Sequence, residues 1–451
     1  MKRLTGFISF INCLILLAPF FVQAGYTEPL AKRIVLDNGM LLLLSEKHDI
    51  PIVAVNMIFP AGSRAVSEDK PGLEAITASL LTQGTSTRSA NQISSELDFI
   101  GASLSVSAGG DFASAHLRVL KKDVSAGMEL LSDVLLHPVF DQQEIDRAVK
   151  ATLAEIKRQK ELPGIVADEA FSRSIFGKHP YGRTGDDVAT YLRTITRKDI
   201  RSFYEKQYLL RDAVIAVVGD ITEVEIVELM NQYFKQKTLQ NSPEKKPILP
   251  VVPDKLLVKK INKDVAQAHI VMGHLGIQRS NPDYYAVQVM NYILGAGGFS
   301  SRLMDNIRDN RGLAYDVRSS FAGLKDPGSF KITIQTKNES ANEVIREALS
   351  EINSIRTKPV TDKELRDAKA YLTGSFPLRM DTSAKIAALL GQIEFYNLGL
   401  DFPAMYSSKI NAVTKKDILR AAQHYLYPEA MTIVVVANQE KAKVHFEEPK
   451  R

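Results

Sequence analysis

The sequence repeats itself at an offset of about 220 residues, and this repeat constrains the fold more than any other feature. Four kinds of segment recur in the same order in both halves of the chain. The paired segments are residues 143–148 and 363–368, 195–200 and 413–418, Tyr208 and Tyr425, and 214–218 and 432–436. An ordered recurrence of this kind predicts two homologous domains. A chain of 451 residues is also too long for one hydrophobic core.

A proline-rich stretch separates the two copies. Residues 243–253 include Pro243, Pro247, Pro250 and Pro253, a density typical of an extended, semi-rigid connector. We therefore place the first domain at 25–240, the linker at 241–254 and the second domain at 255–445.

The first 24 residues are typical of a secretory signal peptide. Lys2 and Arg3 precede an apolar run over residues 7–22, and a small residue, Ala24, lies at the expected cleavage site. The alternative is an uncleaved membrane anchor, although the run is barely long enough to span a bilayer. No later apolar run approaches that length, so no membrane association is expected after cleavage.

Composition limits the cellular compartments and the binding partners that are expected for this chain. The only cysteine, Cys13, lies in the signal segment, so the mature chain has no thiol for a disulfide, a metal site or a nucleophile. An exported chain without disulfides suits a bacterial periplasm. Removing Lys2 and Arg3 changes the net charge from +5 to +5 − 2 = +3, and no basic run or patch indicates nucleic acid.

The coarse pattern predicts an α+β fold in each half. Asp37-Asn38-Gly39 indicates a tight hairpin, because Asn-Gly tolerates positive φ angles. Strands joined by hairpins, with long helical blocks between them, predict two homologous α/β-sandwich domains, each an antiparallel-rich sheet packed by helices. The predicted strands are 33–36, 40–44, 52–59, 103–108, 113–120, 214–218, 269–274, 329–336 and 432–436. The predicted helices are 73–82, 90–100, 124–136, 142–160, 284–294, 301–308, 341–355 and 362–373.

The helix predicted at 73–82 has the framework of a zinc motif but not its side chains. In H-x-x-E-H, two imidazoles four residues apart lie on one helical face and bind zinc, beside a glutamate that acts as general base. Ala75, Ala78 and Ser79 hold these three positions. Glu74 lies about 100° around the helix from Ala75 and does not replace the base. We therefore expect no zinc and no catalysis by this chain alone.

The chain resembles the insulinase/pitrilysin family of zinc peptidases in its short, two-domain, processing-peptidase-like form, with a degenerate zinc motif. The resemblance covers essentially all of the mature chain. It rests on an ordered set of segments: 37–39, 61–64, 84–85, 179–183, 218–220, 297–303 and 307–315.

The resemblance implies roles for three further residues. Glu155 occupies the slot of the third zinc ligand; the alternative is a solvated glutamate among the charges of its helix. Arg308 and Tyr315 match a pair that grips the substrate backbone and stabilises an oxyanion; guanidinium and phenol groups are suitable donors. The alternative is that Arg308 forms an ion pair with Asp305 or Asp309 while Tyr315 packs as a strand residue.

The glycine-rich segment 295–298 is not a phosphate loop, because it lacks the lysine and follows a helical stretch. The pattern favours a flexible loop with Ser300 or Ser301 capping the next helix. The resemblance implies that Gly297 and Gly298 contact substrate. None of the eight histidines forms a helical i, i+4 pair, so they indicate no replacement metal site.

Loss of the zinc side chains with retention of Arg308 and Tyr315 is what one half of a heterodimer would display. The leading hypothesis is a zinc-free subunit of a periplasmic heterodimeric metallopeptidase that binds peptide substrates and supplies both residues in trans. Its partner would be a homologous subunit that carries the zinc. The alternatives are a stand-alone peptide-binding or scaffold protein, and an active enzyme with a different metal constellation.

Overall fold

The computed structural model describes residues 29–234 and 255–445. The predicted signal peptide at 1–24 and the predicted linker at 241–254 lie outside the described residues. Within the described ranges, no helix is both long and apolar enough to cross a membrane.

The first half forms a six-stranded sheet with the order β1-β2-β6-β3-β5-β4. Only β2 and β6 run parallel. Its strands are β1 (Lys32–Val35), β2 (Leu41–Glu46), β3 (Ile52–Phe59), β4 (Ser103–Ala108), β5 (Ala113–Leu120) and β6 (Val214–Gly219). Its helices are α1 (Leu73–Leu80), α2 (Ala90–Phe99), α3 (Val124–Leu136), α4 (Gln142–Gln159), α5 (Pro163–Phe176), α6 (Gly185–Leu192), α7 (Arg197–Gln207) and α8 (Glu223–Tyr233).

The second half repeats this plan with a five-stranded sheet of order β7-β11-β8-β10-β9, in which only β7 and β11 run parallel. Its strands are β7 (Leu257–Asn262), β8 (Gln267–Leu275), β9 (Ala314–Phe321), β10 (Ser329–Lys337) and β11 (Thr432–Ala437). Its helices are α9 (Tyr284–Asn291), α10 (Ala341–Thr357), α11 (Asp362–Ser375), α12 (Ser383–Phe395), α13 (Phe402–Ala412), α14 (Lys415–Tyr425) and α15 (Gln439–Ala442). The predicted α+β fold with two sheets packed by helices is confirmed.

The repeated sequence segments have local structural causes. Thr196 begins α7 with a capping box, in which its hydroxyl accepts from the Asp199 amide and the Asp199 carboxylate accepts from the Thr196 amide. Thr414 and Asp417 form the same box at the start of α14. The predicted hairpin closes at Gly39, whose φ is +82°. The helix ends and the turn are thus fixed by adjacent residues.

Each half contributes one helix to the other half's sheet. Helix α5 packs on β8 and β11 of the second sheet, and α12 packs on β3 and β6 of the first. Strand β6 is therefore covered on both faces: Ile215 and Val217 face the first core, whereas Ala216 and Val218 face α12. Burial on both faces explains the continuous apolar runs at β6 and β11, which lack the usual alternation. The sequence pattern predicted neither exchanged helix.

The predicted helices at 284–294 and 301–308 take a different form. The chain is π-helical over Tyr292–Ala296 and again over Met304–Asn310, on either side of the glycine-rich loop. Short π-helical segments are frequently found at functional sites. The predicted serine cap is wrong, because the Ser301 hydroxyl donates to the Gly298 carbonyl (2.6 Å).

Candidate functional site

Helix α1 presents the zinc-motif positions as its sequence spacing requires. Ala75 and Ser79, four residues apart, are both exposed on one face, whereas Ala78 is fully buried. The Ser79 hydroxyl donates to the Ile76 carbonyl of its own helix at 2.9 Å. This surface therefore offers no free metal-binding atom from a side chain.

Glu155 lies on α4, which packs against α1. Its carboxylate accepts hydrogen bonds from the Arg158 guanidinium at 2.6 and 2.8 Å and from the Gln159 amide at 2.9 Å. The hydrogen bond from Arg158 is the main reason that the pKa of Glu155 is lowered. Glu155 lines a shallow cleft between α4, α5 and α6, together with Gln159 and Arg183. It is thus an ion-paired surface glutamate.

Zinc does not fit the residues that hold the zinc-site positions on α1 and α4. In the described ranges, no group of three His, Cys, Asp or Glu side chains could hold a metal ion. A catalytic zinc site needs about three protein ligands. Ala75, Ala78, Ser79 and an ion-paired Glu155 cannot supply them.

The second sheet carries the other predicted pair. Arg308 lies in the π-helical segment that packs beside β9, and Tyr315 is the second residue of β9. The Arg308 guanidinium carbon lies 5.6 Å from the centre of the Tyr315 ring and 4.8 Å from the centre of the Phe299 ring. Both rings are largely exposed, so the cluster of Phe299, Arg308 and Tyr315 opens to solvent.

Arg308 is the arginine that the surrounding carboxylates leave unpaired. Residues 302–318, all described, contain four arginines. Arg302 pairs with Glu364, Arg311 with Glu347 and Arg318 with Asp316; no ion pair joins Arg308 to a described residue. The ion pair to Asp305 or Asp309 considered above is therefore not formed. Its positive charge and hydrogen-bond donors stay available to another molecule.

The segment that carries Arg308 is held on both sides. The Arg302 guanidinium donates twice to Glu364 on α11, at 2.6 and 3.1 Å. The Asn306 amide donates to Glu347 and Glu351 on α10, at 3.1 and 2.9 Å. Fixed donors stabilise developing charge better than mobile ones, because they need little reorganisation.

Steric and backbone constraints explain why glycine occupies two positions of the loop. A Cβ atom at Gly297 would lie 2.8 Å from the Tyr292 carbonyl oxygen and 3.0 Å from the Tyr292 ring. Gly298 has a φ of +57°, which disfavours residues with a side chain. Gly298 immediately precedes Phe299. The sequence pattern did not identify Phe299 as a candidate site residue, although its position beside the two glycines could have indicated an exposed loop tip.

Two of the segments that carry the resemblance, 61–64 and 179–183, join the two halves of the chain. Arg64 donates to the Asp326 carboxylate at 2.6 and 3.1 Å. His179 accepts from the Tyr181 amide through Nδ1, so Nε2 carries the proton and donates to Asp326 at 3.2 Å. Burial lowers the pKa of His179, which favours this neutral form. Asp111 accepts from the hydroxyls of Tyr181 and of Tyr396 (2.7 Å). We call Arg64, Asp111, His179, Tyr181, Asp326 and Tyr396 the interdomain cluster.

Two family models match consecutive parts of the chain. The model described as insulinase (peptidase family M16) matches residues 41–185, and the model described as peptidase M16 inactive domain matches residues 194–372. The chain belongs to the insulinase family. The resemblance inferred from the sequence is thereby confirmed.

Relatives in the insulinase family align over most of this chain. An uncharacterised zinc protease of Streptomyces coelicolor is 25% identical over 425 residues, which is 92% of each protein. An uncharacterised zinc protease of Rickettsia felis is 28% identical over 79% of this chain and 85% of its own length.

Two solved structures are similar to this chain over most of its length. The peptidase M16 inactive domain from Pseudomonas fluorescens has a TM-score of 0.85 at 29% identity, covering 90% of this chain and 98% of its own. A protease from Helicobacter pylori has the same fold, with a TM-score of 0.83 at 20% identity over 91% of this chain and 99% of its own. With two alanines and a serine at its zinc-motif positions, the chain is a non-catalytic member of the insulinase family.

Proposed function

We propose that this chain is the zinc-free subunit of a heterodimeric insulinase-type metallopeptidase in the bacterial periplasm. Arg308 and Tyr315 act in trans, on a peptide held in the active site of a homologous subunit that carries the zinc. The predicted signal peptide at 1–24 directs the chain across the inner membrane.

The unpaired Arg308 is the observation that carries this proposal. Three neighbouring arginines are neutralised by carboxylates, and the fourth keeps its donors free beside an exposed tyrosine. A guanidinium and a phenol can donate to a peptide carbonyl and to the oxyanion that forms when this carbonyl is attacked. The attack itself requires chemistry that Ala75, Ala78 and Ser79 cannot perform.

The relatives support a partner of similar size. Proteins named as zinc proteases align with this chain over most of both lengths. A zinc-bearing subunit of the same two-domain form is therefore a natural complement to a chain that lacks the zinc side chains.

The test mixes this chain with a zinc-bearing homologue from the same organism and measures peptide cleavage by each chain and by the mixture. We expect this chain alone to bind no stoichiometric zinc in elemental analysis and to cleave nothing. The mixture should show activity that neither chain has alone. Arg308→Ala or Tyr315→Phe should lower turnover on the order of a hundredfold without dissociating the complex.

The matched control is Arg318→Ala, which removes an exposed arginine of the same strand region that is already paired with Asp316. Its turnover should stay near that of the unmodified complex. An active complex that tolerates both Arg308→Ala and Tyr315→Phe would refute the role in trans. If no complex forms, a stand-alone peptide-binding or scaffold protein becomes the better account.

A further inference from the structure

Phe299 is a large apolar residue placed where burial does not explain it. Its side chain is 68% exposed, at the tip of the glycine-rich loop. The turn beneath it is fixed by two backbone hydrogen bonds, from Ser300 to Gly297 (3.2 Å) and from Ser301 to Gly298 (3.0 Å). The Ser301 hydroxyl adds a third bond to the same Gly298 carbonyl. The loop therefore holds an aromatic ring at the surface, next to Arg308.

We propose that Phe299 is a positioning residue for Arg308: its ring holds the guanidinium while leaving the charge and the hydrogen-bond donors free. This inference rests on the proposed function and adds a residue that acts through Arg308.

The physical reason is the difference between an aromatic ring and a carboxylate as a partner for arginine. A carboxylate would neutralise the charge and occupy two N–H donors, as Glu364 does for Arg302. A ring attracts the guanidinium through its quadrupole and accepts no conventional N–H···O bond. At 4.8 Å from the ring centre, the Arg308 guanidinium carbon lies within the range of this attraction. Arg308 is thus restrained without losing the donors that a substrate oxygen would need.

The contact can be tested on this chain alone by chemical modification of arginine. Phenylglyoxal labelling, followed by mass spectrometry, gives a rate for each arginine. Phe299→Leu keeps an apolar side chain but removes the ring, and it should change the labelling rate of Arg308 by about two- to fivefold. Arg318 is the internal control and should keep its rate. An unchanged rate at Arg308 would show that the ring does not restrain it, and would overturn the inference.

The functional consequence is tested in the active mixture described above. Phe299→Leu and Phe299→Ala should each lower kcat about two- to fivefold with little change in KM, whereas Phe299→Tyr, which keeps the ring, should restore kcat. In an Arg308→Ala background, Phe299→Leu should have no further effect, because the two residues act as one unit. Phe99→Leu removes another highly exposed phenylalanine, on α2, and should leave kcat unchanged.

These outcomes distinguish the positioning role of Phe299 from the proposed function of Arg308 in trans. If Arg308→Ala lowers turnover but Phe299→Leu does not, the positioning role is wrong and the function in trans stands. If Phe299→Tyr is as impaired as Phe299→Leu, or if the double variant loses activity additively, Phe299 does not act through its ring on Arg308. If substitution of neither Arg308 nor Phe299 lowers turnover in an active complex, the proposed function in trans is wrong, and the positioning role that rests on it is wrong as well.

Discussion

Glu74 shows at the level of one residue why the degenerate helix cannot recover a base from its neighbour. The residue is 9% exposed, and its Oε2 atom has no hydrogen-bond partner among the described residues. Burial raises the pKa of this carboxyl, because the charged form loses its hydration. The side chain points into the protein, away from the face that carries Ala75 and Ser79.

Glu74→Gln should stabilise the protein at pH 7 by about 1 kcal/mol, because it removes a poorly solvated charge. Below the ordinary pKa of 4.5, Glu74 is protonated in both the folded and unfolded chains and carries no such penalty. As the pH rises, the unfolded chain ionises first, so stability is lost until the pH exceeds the folded pKa. Urea unfolding at pH 4 and pH 7 measures this: the gain should shrink at pH 4.

The control for this prediction is Glu68→Gln, which changes an exposed glutamate paired with Lys178. Its effect should stay within about 0.5 kcal/mol. A Glu74→Gln variant that is less stable than the unmodified protein at pH 7 would mean that the buried carboxylate is well solvated by its surroundings.

At the level of elements, the exchanged helices depend on a close approach of helix to sheet. On α12, a Cβ atom at Gly391 would lie 2.6 Å from the Asn56 amide nitrogen and 2.7 Å from Ile58, both on β3. Asn56 is itself buried and donates to the Ala387 carbonyl of α12. The glycine therefore lets the helix of the second half lie directly on the first sheet.

Gly391→Ala should destabilise the protein by about 1–3 kcal/mol, because the added methyl overpacks this contact. Gly374 on α11 gives a matched comparison, since a Cβ atom there would meet no atom within 4 Å. Gly374→Ala should be neutral or stabilising by up to about 1 kcal/mol, as alanine favours a helix over glycine. Thermal unfolding of Gly391→Ala and Gly374→Ala measures the two changes in stability. Equal effects at the two positions would contradict the exchanged packing.

At the level of the whole molecule, the interdomain cluster joins loops from both halves. Asp111 lies in the turn between β4 and β5, and Asp326 lies in the equivalent turn between β9 and β10. Both are almost fully buried. Each carboxylate accepts at least one side-chain hydrogen bond from the opposite half: Asp111 from Tyr396, and Asp326 from Arg64. With the exchanged helices, the cluster makes the two halves interdependent.

Asp326→Asn should lower the free energy of unfolding by about 2 kcal/mol, because the part-buried Arg64 loses its 2.6 Å partner and keeps only the longer contact with Asp111, at 3.9 Å. Asp316→Asn breaks an exposed ion pair with Arg318 and should cost under about 1 kcal/mol. Urea denaturation of both variants measures the difference. Similar small losses would show that Arg64 is adequately solvated without Asp326.

The sequence by itself determined what depends on near neighbours along the chain. Capping boxes at Thr196 and Thr414, the Asn38-Gly39 turn and the repeat fixed many elements and the two-part plan. The prediction that this chain binds no zinc follows from Ala75, Ala78 and Ser79 alone, because a missing ligand atom does not depend on the fold.

Tertiary structure decided the rest. The apolar runs of β6 and β11 indicate that both strands are buried, but they do not indicate which helix covers each face. Helices α5 and α12 each pack on the sheet of the other half, through contacts between residues far apart in sequence. Arg308 has aspartates beside it in the sequence, yet the π-helical geometry and the fixed turn at Gly298 place it against Phe299. Which partner a charge takes depends on side-chain direction in three dimensions, and residue spacing does not specify that direction.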